Sequence, residues 1–107
     1  MKLSEKKCVP CEGGVPPLPQ ADVKKYLKQL AGWQAISNKK IIKGFRFKNF
    51  VEAMGFVNQV ALIAQAEDHH PDLSVHYSKV EVELSTHAAG GLTENDFILA
   101  AKIDQIK

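Results

Sequence analysis

Three of the four histidines in this chain are placed where their side chains could act together. His69 and His70 adjoin in the stretch EDHHPDL, and His87 lies seventeen residues after His70, in the stretch STHAAGG. Imidazole changes charge near pH 6.5, so at neutral pH it can donate or accept a proton. Imidazoles that share a cleft can protonate a leaving group and remove a proton elsewhere. Each such group contributes about 10²–10⁴-fold to a rate.

The spacing of these histidines fits a β-hairpin. Residues 72–87 predict two strands with a tight turn near 77–79, because apolar and polar residues alternate along the second half of the segment. In an antiparallel hairpin the start of the first strand lies beside the end of the second. We therefore expect His70 and His87 to face each other across the sheet. Asp68 is then placed to orient an imidazole or to hold a cationic edge of a substrate.

Other interpretations of these residues stay open at this point. Three histidines can hold zinc with one open position, although adjacent His69 and His70 point in different directions and the chain has no H-E-x-x-H motif. Most histidines in small domains are surface or hydrogen-bonded core residues, and we interpret His76 in that way. The spacing Thr93-x-x-Asp96 is that of a capping box, which explains Asp96 without a role in chemistry.

The elements that must position these side chains follow from periodicity. Apolar residues recur at helical spacing, and strand-like segments come in pairs, in the order helix, strand, strand, helix, strand, strand, helix. This order predicts an α+β fold, in which three helices pack on one face of a four-stranded antiparallel sheet. The segments before the 72–87 hairpin are a helix from Ala21 to Gly32, strands Trp33–Ile36 and Ile41–Phe47, and a helix from Asn49 to near Asp68; a last helix follows Thr93.

The long second helix carries the strongest apolar pattern. Its predicted buried stripe starts at Phe50 and runs to Ala64, and Phe56 and Ile63 fall outside that stripe. We expect those two side chains either deeper in the core or in an interface between copies. Pro71 biases the residue before it away from helical angles, so the helix should end before the histidine pair.

Composition limits the functional classes. The chain has 107 residues, 45% of them hydrophobic, and a net charge of +2, which suits a single domain over 20–107. The basic residues are scattered, which disfavours a nucleic-acid surface. No apolar run approaches the roughly 18 residues of a membrane span, and no signal-peptide core is evident, so we expect a cytoplasmic protein. Residues 1–19, rich in Gly and Pro, predict a flexible arm; its Cys8 and Cys11 form one C-x-x-C, half of a zinc site.

The motifs together resemble those of the pterin-4a-carbinolamine dehydratase family. The resemblance covers 21–106 and includes HHP after a long helix, then YSKVEVELSTH, then GGLTEND. It implies removal of water from a 4a-hydroxytetrahydropterin to give a quinonoid dihydropterin, which recycles the pterin cofactor of aromatic amino-acid hydroxylases. It implies no metal and no cofactor, since the pterin is the substrate. It also implies a homodimer or homotetramer and a functional link to a hydroxylase.

The resemblance also assigns roles to residues. His69 and His87 become the acid and base, and His70 mainly holds the pterin and shares that work. The remaining residues implied to bind substrate line the same pocket: Asp68, Ser85, Thr86, Ala88 through its backbone, and Asp96.

Two positions depart from the family pattern. Gln65 stands where an acid often precedes the histidine pair, and Leu73 stands where an aromatic residue often follows it. Glu67 and Asp68 partly replace the missing charge. Some family members act as protein-binding regulators or transcriptional coactivators, so a non-catalytic regulator of the same fold, binding partners through a helical face near Phe56 and Ile63, is the alternative function.

Overall fold

A computed structural model describes residues 2–9 and 16–106. It contains three α-helices and four strands: α1 (Gln20–Leu27), β1 (Gln34–Ile36), β2 (Lys40–Arg46), α2 (Phe50–Glu67), β3 (Asp72–His76), β4 (Lys79–Leu84) and α3 (Glu94–Ile103). Short 3-10 turns cover Leu3–Glu5 and His87–Ala89. The strands form one antiparallel sheet in the order β1-β2-β4-β3. The predicted α+β class and four-stranded sheet are confirmed.

The core lies between the helices and one face of the sheet. Alternate residues of the central strand β4 (Val80, Val82 and Leu84) are fully buried, as the period-two pattern predicted. Helix α3 is buried along almost its whole length, and Phe97 stacks on Tyr26 with ring centroids 5.2 Å apart. Because α3 is packed so tightly, any side chain in its first turn is held in a rigid frame.

Helix α2 begins and ends with defined caps. The Asn49 side chain accepts a hydrogen bond from the Glu52 backbone N–H at 2.9 Å, as the sequence predicted. At the other end, Asp68 adopts a left-handed conformation with φ of 53°, and the His69 N–H reaches back to the Ala64 carbonyl at 3.2 Å. These are the features of a Schellman motif, which ends the helix and turns the chain toward β3.

The buried stripe of α2 differs from the predicted one. Phe56 is only 4% exposed and packs between Phe45 and Phe47, whereas Phe50 is 49% exposed. The apolar residues on the outer face are instead Val51 and Leu62, at 78% and 73% exposure. Helical periodicity gave the direction of the stripe correctly only in part, because α2 is apolar nearly all round and its moment is weak.

The hairpin register differs from the one expected. Asp72 pairs with Glu83 and His76 with Lys79, which leaves a two-residue turn at Tyr77 and Ser78. The turn is therefore centred one residue earlier than predicted, and each such step shifts the pairing by two residues.

The expectation that His70 and His87 face each other across the sheet is therefore wrong. β3 begins after His70, β4 ends at Leu84, and His87 begins a 3-10 turn.

The first residues pack against the domain. Leu3 is 5% exposed and belongs to the core, and Leu18 N–H donates to the Leu92 carbonyl at 2.8 Å. This docking differs from the free arm that the Gly- and Pro-rich sequence suggested. Cys11 lies outside the described residues, so the C-x-x-C prediction stays a prediction. No helix in the described ranges is long and apolar enough to cross a membrane.

Candidate active site

His69 is held by a buried carboxylate. Its Nε2 lies 2.6 Å from Asp96 Oδ1, and the two side chains are 11% and 0% exposed. An ionised carboxylate only accepts hydrogen bonds, so the Nε2 of His69 carries the hydrogen that Asp96 accepts. The ring nitrogen left for a ligand is then Nδ1, which in the neutral ring is a proton acceptor.

The second oxygen of Asp96 is also fully engaged. Thr86 Oγ1 donates to Asp96 Oδ2 at 2.8 Å, and the Thr93 backbone N–H donates to the same oxygen at 3.0 Å. A hydroxyl has one hydrogen, so the 2.9 Å contact between the two threonine hydroxyls runs from Thr93 Oγ1 to Thr86 Oγ1. The predicted capping box of α3 is present. Asp96 is thus both the helix cap and the partner of His69.

His70 has a different environment. It is exposed, and its Nε2 lies 3.2 Å from the Oε1 of Gln65. The neutral amide therefore occupies the place where the family pattern often has an acid. It accepts a hydrogen bond from His70 without adding a charge to the site.

His87 lines a cleft beside Thr86. The cleft has a volume of about 270 Å³ and is formed by residues from the β1–β2 turn and from the loop after β4: Lys39, Lys40, Ser85, Thr86, His87, Gly90 and Gly91. The loop is closed by two backbone hydrogen bonds between Thr86 and Gly91, at 3.0 and 3.3 Å. Gly90, with φ of 74°, takes the left-handed conformation that glycine adopts without strain.

Thr86 links the two halves of the site. Its hydroxyl contacts Asp96, the partner of His69, and its backbone borders the cleft of His87. The structure thus brings His69, Thr86 and Asp96 into one hydrogen-bonded unit, with His87 in the next residue.

The other predicted site residues lie around this unit. Ser85 lines the cleft and is partly buried, while Asp68 and Ala88 are exposed. Two cleft residues, Lys39 and Lys40, were not predicted. The reason is that β2 pairs with β4, a non-local contact that no short motif encodes, and this pairing brings the β1–β2 turn beside the loop after β4.

A metal site was an open interpretation of the histidines. Within residues 2–9 and 16–106, no group of three or more His, Cys, Asp or Glu side chains is arranged to hold a metal ion. A larger cavity of about 510 Å³ lies between β2 and α2, lined mainly by Phe45, Phe47 and Phe56, and no described histidine borders it. We place the candidate site at the histidines, because chemistry requires groups that exchange protons and the larger cavity has none near neutral pH.

Removing the Thr86 hydroxyl tests the energetic role of this network. Thr86 is 4% exposed, so Thr86→Val keeps its volume and leaves Asp96 Oδ2 and Thr93 Oγ1 short of a partner. We expect a loss of about 1.5–3 kcal/mol in the free energy of unfolding, measured by urea denaturation. Ser85→Ala, at the partly buried neighbour, is the control and should change stability by less than about 0.5 kcal/mol. Equal effects of the two variants would contradict the network's role.

Comparison with known proteins agrees on one family. The family profile described as Pterin 4 alpha carbinolamine dehydratase matches residues 16–106. A protein of Nitrosospira multiformis named "Putative pterin-4-alpha-carbinolamine dehydratase" is 54% identical over 104 residues, covering 97% of this chain and 91% of its own length. A protein of the same name from Rubrobacter xylanophilus is 44% identical and covers 98% of both chains.

Two solved structures share the fold. One, described as a transcriptional coactivator/pterin dehydratase from Brucella melitensis, has a TM-score of 0.78 and 39% identity, over 81% of this chain and 94% of that one. The other, a pterin dehydratase-like protein identified as a RuBisCO assembly factor of the alpha-carboxysome, has a TM-score of 0.59 over 68% of this chain and 86% of that one. At 19% identity, the second likeness shows the fold alone.

Proposed function

The chain belongs to the pterin 4 alpha carbinolamine dehydratase family, and from this premise we propose that it removes water from a 4a-hydroxytetrahydropterin. The product is a quinonoid dihydropterin. The reaction breaks the bond from carbon 4a to its hydroxyl, which leaves as water after gaining a proton. Nitrogen 5 loses its proton, and its electron pair forms the new double bond to carbon 4a. One acid and one base are sufficient, and no electrons are exchanged with another molecule.

The observation that carries this proposal is the pairing of His69 with buried Asp96 at 2.6 Å. The carboxylate fixes the hydrogen of the neutral ring on Nε2 and leaves Nδ1 to accept a proton. It also stabilises the imidazolium that forms when Nδ1 takes that proton, as in other sites where a buried acid orients a catalytic histidine. His69 is therefore the base that removes the proton from nitrogen 5.

The other residues take complementary roles. His87, exposed at the cleft beside Thr86, is the acid that protonates the departing hydroxyl. His70 holds the pterin and shares the proton work. The surrounding substrate contacts come from Asp68, Ser85, Thr86, the Ala88 backbone and Asp96. The pterin enters as substrate, so the proposed reaction uses no further cofactor.

A direct assay tests the function. A tetrahydropterin-dependent aromatic amino-acid hydroxylase generates the 4a-hydroxytetrahydropterin, and the quinonoid product is followed by its absorbance. We expect faster product formation with the protein than without it, in the presence and in the absence of a chelator. Formation at the uncatalysed rate would reject the dehydratase. The same chemistry places the protein after a hydroxylase and before a reductase that consumes the quinonoid product, and we place these steps in the cytoplasm.

We also infer that the protein self-associates through α2. Val51 and Leu62 lie on the face of this helix opposite the core and are 78% and 73% exposed. Gly55, on the same face, has open space where a Cβ would be, so another helix can approach closely. An apolar helix face of this kind is typical of an interface between copies.

Placing a charge on this face tests the interface. Leu62→Asp would bury an unpaired carboxylate between copies, so we expect the dimer or tetramer to dissociate to a monomer in light scattering after size-exclusion chromatography. Tyr77→Asp changes an equally exposed residue, at the hairpin tip, and should leave the oligomer intact. A monomeric wild-type chain, or an unchanged oligomer in Leu62→Asp, would reject this interface.

The same face supports the second candidate function, a protein-binding regulator. The Brucella relative, described as a coactivator as well as a dehydratase, motivates this candidate. The exposed residues that a partner would meet are Val51 and Leu62, since Phe56 is in the core. Catalysis that survives in Leu62→Asp, together with loss of a bound partner, would show that the two functions use separate surfaces.

A further inference from the structure

The N-terminal residues 2–9, here named the strap, are attached to α3 at both ends. At the end distant from the histidines, Lys102 Nζ donates to the Ser4 carbonyl and Gln105 Nε2 donates to Ser4 Oγ, each at 3.0 Å. Leu3 inserts into the core at 5% exposure. These contacts anchor the start of the strap and lie away from the candidate site.

The other end of the strap reaches the first turn of α3. Val9 N–H donates to Asn95 Oδ1 at 3.0 Å, and Asn95 Nδ2 donates to the Val9 carbonyl at 2.6 Å. This two-bond pairing holds a side chain that is 3% exposed and adjoins Asp96 in sequence. Lys6 Nζ also pairs with Glu94 Oε2 at 2.7 Å, and its hydrogen bond holds the pKa of Glu94 below its usual value.

The strap also binds the end of α2. Cys8 N–H donates to Glu67 Oε1 at 2.8 Å, and Glu67 is the last residue of the helix, two positions before His69. The Cys8 thiol donates to the Asn95 carbonyl at 3.6 Å. Burial, with the adjacent Glu67 carboxylate, raises the pKa of Cys8 to about 12. One short segment therefore joins the two helix ends that carry His69 and Asp96.

We propose that the strap positions the His69–Asp96 pair by fixing the end of α2 to the start of α3. This inference rests on the dehydratase function proposed above, and the strap lies outside the family match, which begins at residue 16. His69 and Asp96 come from different helices, so their 2.6 Å contact depends on how those helix ends are held. A displacement of about 1 Å at a catalytic group can cost about 10²-fold in rate. Glu94, Asn95 and Glu67 are positioning residues, since they act through the pair.

The test releases the near end of the strap and leaves its far end attached. Asn95→Ala removes both bonds to Val9 and puts a good helix former into α3. Gln105→Ala removes one bond at the far end and is the matched control. Lys6→Met breaks the ion pair with Glu94 from the strap side and leaves α3 unchanged, which covers a failure of Asn95→Ala to fold.

Three measurements follow the release. In a Cys11→Ser background, iodoacetamide reports on Cys8, because only the thiolate reacts and the docked thiol is held protonated. The ¹⁵N resonance of His69 Nε2 reports on its bond to Asp96 without any substrate. For Asn95→Ala we expect alkylation about tenfold faster, a shifted Nε2 resonance, and kcat about tenfold lower with KM within about twofold. Gln105→Ala should match the wild type in all three.

The outcomes separate this inference from the proposed function. Faster alkylation of Cys8 with an unchanged His69 resonance would overturn the positioning role, and so would unchanged alkylation in both Asn95→Ala and Lys6→Met. If the wild-type protein shows no dehydratase turnover while alkylation and the resonance change as expected, the proposed function fails and the strap still positions the pair.

Discussion

Replacing His69 with alanine should lower kcat by about 10²–10⁴-fold, the usual contribution of a positioned acid or base. The variant removes the ring whose Nε2 is bound to Asp96 and whose Nδ1 is free to accept the substrate proton. Turnover of enzymatically generated 4a-hydroxytetrahydropterin measures the effect, and circular dichroism shows whether the fold is kept. His69 is 11% exposed at the side chain and lies outside the main core, so we expect the variant to fold.

His76→Ala is the matched control for this prediction. His76 is an exposed residue of β3 and should be replaceable without a change in kcat. His87→Ala should resemble His69→Ala, because the proposed mechanism needs an acid as well as a base. Unchanged turnover in the His69→Ala/His87→Ala double variant would refute acid–base catalysis by these residues.

The elements of the fold could be predicted from local patterns, and their register could not. The capping signals at Asn49 and Thr93 and the alternation in β4 gave the correct elements, because each depends on neighbours in sequence. The hairpin turn was misplaced by one residue, since Tyr77 takes a left-handed φ of 54° that the sequence Tyr-Ser does not announce. That single shift moved His70 and His87 out of the predicted pairing.

The site was predicted in its residues and missed in its connections. The histidines and Asp96 were identified, but Asp68 was the acid expected to orient an imidazole, and in the structure Asp96 orients His69. The capping box hid this second role: it accounts for one oxygen of Asp96 and leaves the other free for a residue 27 positions away. A long-range contact of this kind leaves no spacing signal in one sequence.

The strap shows the same limit for the N-terminal residues. Gly and Pro between 10 and 19 correctly mark a segment without regular structure, and they suggested that everything before it is detached. Yet Leu3, Lys6 and Cys8 each have a partner on α2, α3 or in the core. Such docking depends on side chains about 60 to 100 positions further along the chain, so composition alone cannot predict it.

The second large effect is expected for Asp96→Asn, through the tautomer of His69. The asparagine oxygen will stay at the Oδ2 position, because Thr86 Oγ1 and the Thr93 N–H both donate there. The amide NH₂ group then faces His69 and donates to Nε2, which must become an acceptor. The ring hydrogen moves to Nδ1, and the nitrogen that should take the substrate proton is blocked. We expect kcat to fall by up to about 10⁴-fold, as for other histidines that lose an orienting carboxylate in this way.

This prediction separates orientation from folding. The cap of α3 keeps its hydrogen bonds in Asp96→Asn, so urea denaturation should show a loss of no more than about 1–3 kcal/mol while activity falls by orders of magnitude. Asp104→Asn makes the same chemical change at a residue that binds Trp33 and Lys43, and it should leave kcat unchanged. A kcat within about threefold of wild type in Asp96→Asn would mean that the carboxylate is a cap alone, since a change of tautomer costs far more. The role of His69 as base would then require another source of orientation.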